Sequence, residues 1–241
     1  MQERGTLREP LSRHRVLAAA VTLADAEGAK ALTMRRLAAG LGVEAMSLYH
    51  HLPGKNGLLD GLADTIIGEI DTAVAALGSA GPSQGWRLRI KRRFLAARSV
   101  MLRHPWAPGL LGSRPTIPAS LYTYYDAIVA TLVEGGFSHH LAHRALHAFG
   151  SLALGFAQEV FSPASAGGSL DIAPTEADLA AMAQTVPHLA AMVASEVHDV
   201  TDPALGWCDT QAEFEFTLDL LLDGLERARD APAPSPATAM G

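Results

Sequence analysis

Between Ser12 and Arg229 the apolar residues of this chain recur at intervals of three and four, and Val, Ile and Thr gather into no alternating run. That spacing places apolar side chains on one face of a helix, so it limits the fold to a packing of helices. Ala and Leu, strong helix formers, dominate, and no repeat of 20–50 residues is present. Glycine, proline and capping residues mark the breaks. Ser12 caps a first helix running to Glu27, with Val16, Ala20, Leu23 and Ala24 as its apolar stripe and Gly28 as its stop. Thr33 caps a short second helix with Leu37, Ala38 and Leu41 inward, and Gly42 turns the chain into a third, from Glu44 to His51. Pro53-Gly54 ends it. A long fourth helix starts near Lys55 and carries Leu58, Leu59, Leu62, Ile66 and Ile70.

Further along, a loop is expected from Gly78 to Gly85 and helices over Trp86–His104 and Leu121–Glu134. The Pro-rich Pro105–Pro118 separates these two and holds one short helical turn. Ser138 caps a helix to about Phe161, Ser162–Thr175 reads as a loop, and Glu176–Val197 is helical with a bend or break at Pro187. Thr210–Arg229 is the last helix, with Phe214, Leu218, Leu221, Leu222 and Leu225 on one face. The expected organisation is a head over 1–60, a body over 61–230 and a disordered Ala-Pro-Ala-Pro-Ser-Pro tail over 231–241.

A chain of 241 residues, 49% hydrophobic and 18% charged, can bury a sizeable core, which excludes a disordered, collagen-like or disulfide-dense protein. The single cysteine, Cys208, forms no internal disulfide, and no secretory leader or long apolar segment is visible; the expectation is a cytoplasmic protein with no membrane association. The net charge is −6, but residues 1–60 hold eight basic against six acidic side chains, a net of +2 that leaves −8 for the rest. A mildly basic head on an acidic body fits an anionic partner for the head.

Two short helices joined by a glycine turn, over residues 33–51, make a helix-turn-helix. The first of the two is too short to be stable alone, so it must be packed by the first and fourth helices of the chain, with Val43 and Leu48 facing that core. Ala45, Met46, Ser47, Tyr49, His50 and His51 are left facing outward, small or hydrogen-bonding side chains in place of the Lys and Glu of a solvated face. Such a face lets backbone approach base edges, while Tyr49, His51 and Lys55 reach phosphates beside the N–H groups that open the fourth helix. Period and turn alone fit a bare three-helix packing corner equally well.

The residues themselves go further. Leu32-Thr33-Met34-Arg35-Arg36-Leu37-Ala38, Leu41-Gly42-Val43-Glu44, Ser47-Leu48-Tyr49-His50-His51-Leu52 and Lys55 closely resemble the DNA-binding head of the TetR family of transcriptional regulators, over about residues 12–65. Leu111-Gly112-Ser113-Arg114-Pro115-Thr116, Gly136-Phe137-Ser138, Leu154-Gly155 through Glu159 and Leu220-Leu221-Leu222-Asp223-Gly224-Leu225-Glu226 resemble the family's tetracycline-repressor-like C-terminal domain. The resemblance implies an all-α homodimer with a three-helix head and a helical ligand-binding and dimerisation body. Such a protein is a regulator, repressor in kind, that a small-molecule effector releases from a palindromic operator in double-stranded DNA. It places Ala45, Met46, Ser47 and His50 where the family reads bases, and Thr33, Arg35, Tyr49, His51 and Lys55 where it holds phosphates. The tetracycline-binding members carry glutamine and tryptophan at the positions of Ala45 and His50, so the operator differs; Ala45 can at most touch a thymine methyl.

For the body, the resemblance places Arg93, Ala97, Leu110, Ser113, Ile128, His143, Leu146, His147 and Glu159 on or near an effector pocket. The tetracycline-binding members hold drug-chelated magnesium with a histidine at the position of Leu110, and carry glutamine and asparagine at those of Ile128 and Arg93. Metal–drug chemistry is therefore not implied, and no cofactor is expected. His139, His143 and His147 are spaced four apart on one helix, with His140 adjacent, a spacing that can bind zinc. One helix cannot supply a tetrahedral set, no cysteine is near and no HExxH is present, so the favoured reading is a polar wall or dimer contact with no metal. The Arg-rich stretch 87–103 is read as pairing with the acidic body. A nucleophile elbow, a P-loop, a Gly-rich nucleotide turn and paired carboxylates are all missing, so no catalytic residues are assigned and no enzyme is expected. The alternative to a regulator is a helical small-molecule or metal sensor module that does not bind DNA.

Overall fold

The computed structural model describes residues 10–78, 84–114, 117–156, 176–195 and 210–231, all helices and connections with no strand among them. The helices are α1 (Arg13–Glu27), α2 (Met34–Leu41), α3 (Ala45–Tyr49), α4 (Gly54–Ala76), α5 (Gly85–Arg103), α6 (Ala107–Gly112), α7 (Ala119–Glu134), α8 (His139–Gly155), α9 (Glu176–Thr185), α10 (Pro187–Ser195) and α11 (Thr210–Asp230). No helix among the described residues is long and apolar enough to cross a membrane.

The chain divides into two compact units, Met1–Leu146 and His147–Gly241. In the first, α4 is the central element and packs against α1, α5, α6 and α7. Its Leu58, Leu62, Ile66 and Ile70 are all but completely buried. Truncating any of them to alanine would cost about 2–5 kcal/mol, because a close-packed core cannot collapse fully around the void. The head is built onto the front half of this helix. Val16, Leu17, Ala20 and Ala24 of α1, Leu37 and Ala38 of α2, and Leu48 of α3 complete the core there; Val43 is only half-buried. The expected head–body cut at residue 60 falls inside α4.

Around the rear half of α4, α5 buries Trp86, Ile90, Phe94, Ala97, Val100 and Met101, and α7 buries Leu121, Tyr124, Ile128 and Leu132. Gly135, at the end of α7, lies so close to Trp86 that a Cβ there would fall 2.6 Å from the Trp86 Cβ. The indole meets the Phe137 ring edge-on, centroids 4.6 Å apart.

In the second unit, α9 and α10 pack on each other and α11 buries Phe214, Leu218 and Leu222. Phe214 meets Phe156 edge-on at 5.4 Å. Of the apolar stripe read from the sequence of this helix, Leu221 and Leu225 are only half-buried, and the large apolar side chains that α11 leaves exposed are Phe216 and Leu220, 61% and 52%. The helix expected over 176–197 is two helices: Val186 interrupts it and Pro187 opens α10, where its missing N–H costs nothing. The expected end of the 138–161 helix, the 162–175 loop, Cys208 and the tail beyond Ala231 lie outside the described residues.

Candidate DNA-binding head and effector site

The turn between α2 and α3 is set by two local devices. Thr33 is in extended backbone and its hydroxyl accepts from the Arg36 N–H at 3.2 Å, a side-chain cap on an otherwise orphaned donor. At the other end Gly42 takes left-handed φ 65°, ψ 40°, and the Gly42 and Val43 N–H groups return to the Ala39 and Ala38 carbonyls at 3.1 and 3.0 Å. A one-turn 3-10 helix at Ala29–Ala31, absent from the sequence reading, brings the chain from α1 to the Thr33 cap.

With Leu48 fully buried, α3 has one inward anchor. Met46 is 71% exposed, Tyr49, His50 and Lys55 are exposed, and Ala45, Ser47 and His51 are half-buried. Thr33 and Arg35 are exposed at the start of α2, and Arg36 pairs with Glu27 at the end of α1. The Thr33 hydroxyl accepts from the cap and keeps its own proton to donate. Apart from His51, the side chains expected to touch phosphate are therefore presented outward around α3.

In the body, Ala97, Leu110 and Ile128 are buried, Leu146 is half-buried, and Ser113, His143 and His147 are exposed. Glu159 lies outside the described residues. The Ser113 hydroxyl donates to the Leu110 carbonyl at 3.0 Å, closing the end of α6. Arg93 is held by Asp71 of α4 at 3.0 Å and lies over the Tyr124 ring, 5.1 Å from its centroid. Burial drives the Tyr124 hydroxyl well above the ordinary tyrosine range, against the opposing charge of Arg93. Arg89 and Arg103, like Arg93, are paired with carboxylates, those of Glu134 and Glu69, as the sequence suggested for this stretch, whereas Arg92 donates to the Gln84 side-chain amide oxygen.

A family model described as "Bacterial regulatory proteins, tetR family" matches residues 16–62, and one described as "Tetracyclin repressor-like, C-terminal domain" matches residues 80–229. The chain belongs to the TetR family. It is 30% identical over 220 residues to the tetracycline repressor protein class C of Escherichia coli, covering 91% of this chain and 92% of that one. It is 35% identical over 127 residues to an HTH-type transcriptional regulator of Saccharopolyspora erythraea, where the match covers 53% of this chain and 51% of the relative. The matched part is thus about half the length of the first curated relatives. A possible TetR family transcriptional regulator from Streptomyces coelicolor A3(2) superposes with a TM-score of 0.69 at 30% identity, covering 90% of this chain and 100% of that one.

Three polar clusters of this TetR-family chain escaped the sequence reading, each drawing residues far apart in the chain onto α4. Asp71 joins Arg93 and Tyr124. Asp64 accepts from Ser120 at 2.7 Å and pairs with Arg13 at 3.4 Å, and Asp60 pairs with Arg114 at 2.6 Å. His104, read as the last residue of a helix, reaches Asp25 and Glu69, and Trp106, read as part of the Pro-rich segment, reaches Asp25. The available signal was the row of acidic residues along one helix, Asp60, Asp64 and Asp71, with Glu69 beside them; their partners could not be paired from spacing. Among the described residues no group of three or more His, Cys, Asp or Glu side chains is placed to hold a metal ion.

Proposed function

We infer that this chain is a ligand-responsive transcriptional regulator that represses by binding a palindromic operator as a homodimer and is released by a small effector. The observation carrying the reading is the α2–Gly42–α3 turn with its outward face of small and hydrogen-bonding side chains, in a chain that matches TetR-family models over residues 16–62 and 80–229. In this reading the N-terminal part of α3 enters the major groove. Ser47 and His50 meet base edges, and Ala45 and Met46 make apolar contact there. Thr33, Arg35, Tyr49, His51 and Lys55 fix the register on phosphates. Two copies present their α3 helices about 34–36 Å apart, one turn of the duplex.

The effector is mostly apolar or aromatic and needs no magnesium, because Leu110 and Ile128 stand where the tetracycline-binding members are polar. It acts by favouring a conformer with a different spacing of the heads, and its leverage is its difference in affinity between the two. The dimer surface includes the outward Phe216 and Leu220 of α11, apolar area that a monomer would leave in water.

The test is selection of a duplex from random DNA by the purified protein, followed by sedimentation and by binding at two salt concentrations. A two-fold symmetric site bound by two copies, with affinity falling steeply as salt rises, is expected. Failure to enrich any sequence, or binding by a single copy, would overturn the reading. A released complex whose response to effector disappears with a chelator would overturn the metal-free effector.

A further inference from the structure

Met46 is the most exposed large apolar side chain among the described residues, at 71%. Methionine is more often found inside a fold, where burial of its apolar surface is favourable. Here the chain spends one on the outside of α3, a helix of five residues. Leu48, the one buried residue of α3, lies two positions on, about 200° round the helix, so Met46 projects away from the core. It shares its face with Tyr49 and His50, three and four positions on and both exposed.

A methionine sulfur in water is open to two-electron oxidants. Its lone pair attacks one oxygen of a peroxide and the O–O bond breaks. The departing hydroxide takes the remaining hydroxyl proton and leaves as water, so sulfur is oxidised to the sulfoxide and the peroxide is reduced. Among the described methionines the reaction is graded by access. Met101 is 6% exposed, Met34 and Met182 are half-buried, and Met192 of α10 is 54% exposed. Met46 stands ahead of all four, and it lies on the helix that the head presents outward.

Oxidation at this place changes recognition while sparing the fold, because Leu48 anchors α3 and the Met46 side chain lies mostly in water. The flexible apolar tip becomes polar and chiral. Pressed into a major groove, the sulfoxide oxygen must shed its water and finds donors only on adenine or cytosine. Over a thymine methyl or a phosphate it has none.

We propose that Met46 is a peroxide-sensitive modification site whose conversion to the sulfoxide releases the protein from DNA. This rests on the regulator reading above. Two copies bring two such sites to one operator, so the penalty counts twice. Methionine sulfoxide reductases return the thioether and make the release reversible.

The experiment treats purified wild type and Met46→Leu with hydrogen peroxide and then with dithiothreitol, which reverses disulfide and sulfenic acid formation at Cys208 but leaves sulfoxides in place. Peptide mass spectrometry locates the added oxygen and circular dichroism follows helical content. Each protein's affinity for a duplex selected by the wild type is compared with that of its own untreated sample. At the dose where Met46 is the main sulfoxide, the wild type should bind about tenfold or more weaker at unchanged helical content. Met46→Leu should hold its own starting affinity, a sulfoxide reductase should restore the wild type, and bound duplex should slow the oxidation of Met46. Equal losses in the two proteins, an oxidised Met46 with undiminished affinity, or a loss that tracks helical content would overturn the proposal and leave the regulator reading standing. A wild type that selects no duplex would overturn the regulator reading, and the proposal with it.

Discussion

Two glycines on α4 should respond to the same substitution with opposite sign. An alanine Cβ at Gly61 would lie 2.7 Å from Leu17 Cδ2, 3.1 Å from Leu17 Cδ1 and 3.2 Å from Arg13 Nη2. Leu17 is buried against α4, so its tip has little room to retreat. At Gly68, seven residues on and exposed, a Cβ meets nothing within 4 Å. Alanine is favoured over glycine in a helix interior by about 1 kcal/mol. Gly68→Ala should receive that whole gain, about 0.5–1 kcal/mol. Gly61→Ala receives it too but forces an overpacked contact costing about 1–3 kcal/mol. It also strains the Arg13–Asp64 pair, an exposed bridge worth under about 1 kcal/mol. The net is a loss of about 0–2 kcal/mol and a gap between the two variants of about 1–3 kcal/mol. Urea unfolding at one fixed protein concentration reads this directly, since with a slope of about 2 kcal/mol per molar the midpoints should separate by about 0.5–1.5 M. Equal upward shifts for both variants would mean that α1 does not press on Gly61, and the packing that seats the head on α4 would be wrong.

Other expectations follow from the same geometry. Phe216→Glu with Leu220→Glu should give a monomer that keeps its helical content and loses operator binding, whereas Leu218→Glu, buried inside the chain, should unfold it; sedimentation and circular dichroism separate the two. Lys55→Ala should weaken all DNA alike and flatten the salt slope by about one unit, while His50→Ala should relax preference at one symmetric pair of positions by about 1–3 kcal/mol. A binding series over single-base operator variants checks both. Tyr124 is kept neutral by burial, so its contribution is intact below the unfolded tyrosine value near pH 10 and is lost as pH rises above it, at up to about 1.4 kcal/mol per pH unit. Tyr124→Phe should therefore shallow the alkaline decline in urea midpoint; an unchanged slope would contradict that burial.

What could be read from the sequence was what neighbours in the sequence determine. Ser12, Thr33, Gly42 and Ser138 act on backbone three to five residues away, and each does so as its type and position predicted. The outward face of α3 follows from one buried residue, Leu48, and the helical period. The break at Pro187 is equally local. The 3-10 turn at Ala29–Ala31 carries no such mark, since three small or flexible residues suit several conformations. The acidic partners of Arg93, Arg114 and His104 lie 22 to 79 positions away, at Asp71, Asp60 and Asp25. Charge composition announced that such pairs would exist, but which carboxylate meets which cation is decided only when helices cross. The stripe on α11 shows the same limit: periodicity identified an apolar face, and packing decided that Phe214, Leu218 and Leu222 of it were buried within the chain while Leu221 and Leu225 were only half-buried.

The exposure of α3 has a consequence for how chains of this kind can diversify. Met46 and His50 project from the head with a single buried residue, Leu48, anchoring their helix. If these side chains read the operator as proposed, a lineage can exchange them one at a time, each change nearly neutral for folding. The surfaces that seat the head, Leu17 against Gly61 and Asp25 and Glu69 around His104, admit no such drift, because each member is specified by its partner. New target sequences should thus be inherited by single substitutions, while a transplanted head would need α1, α4 and the α5–α6 corner to travel together.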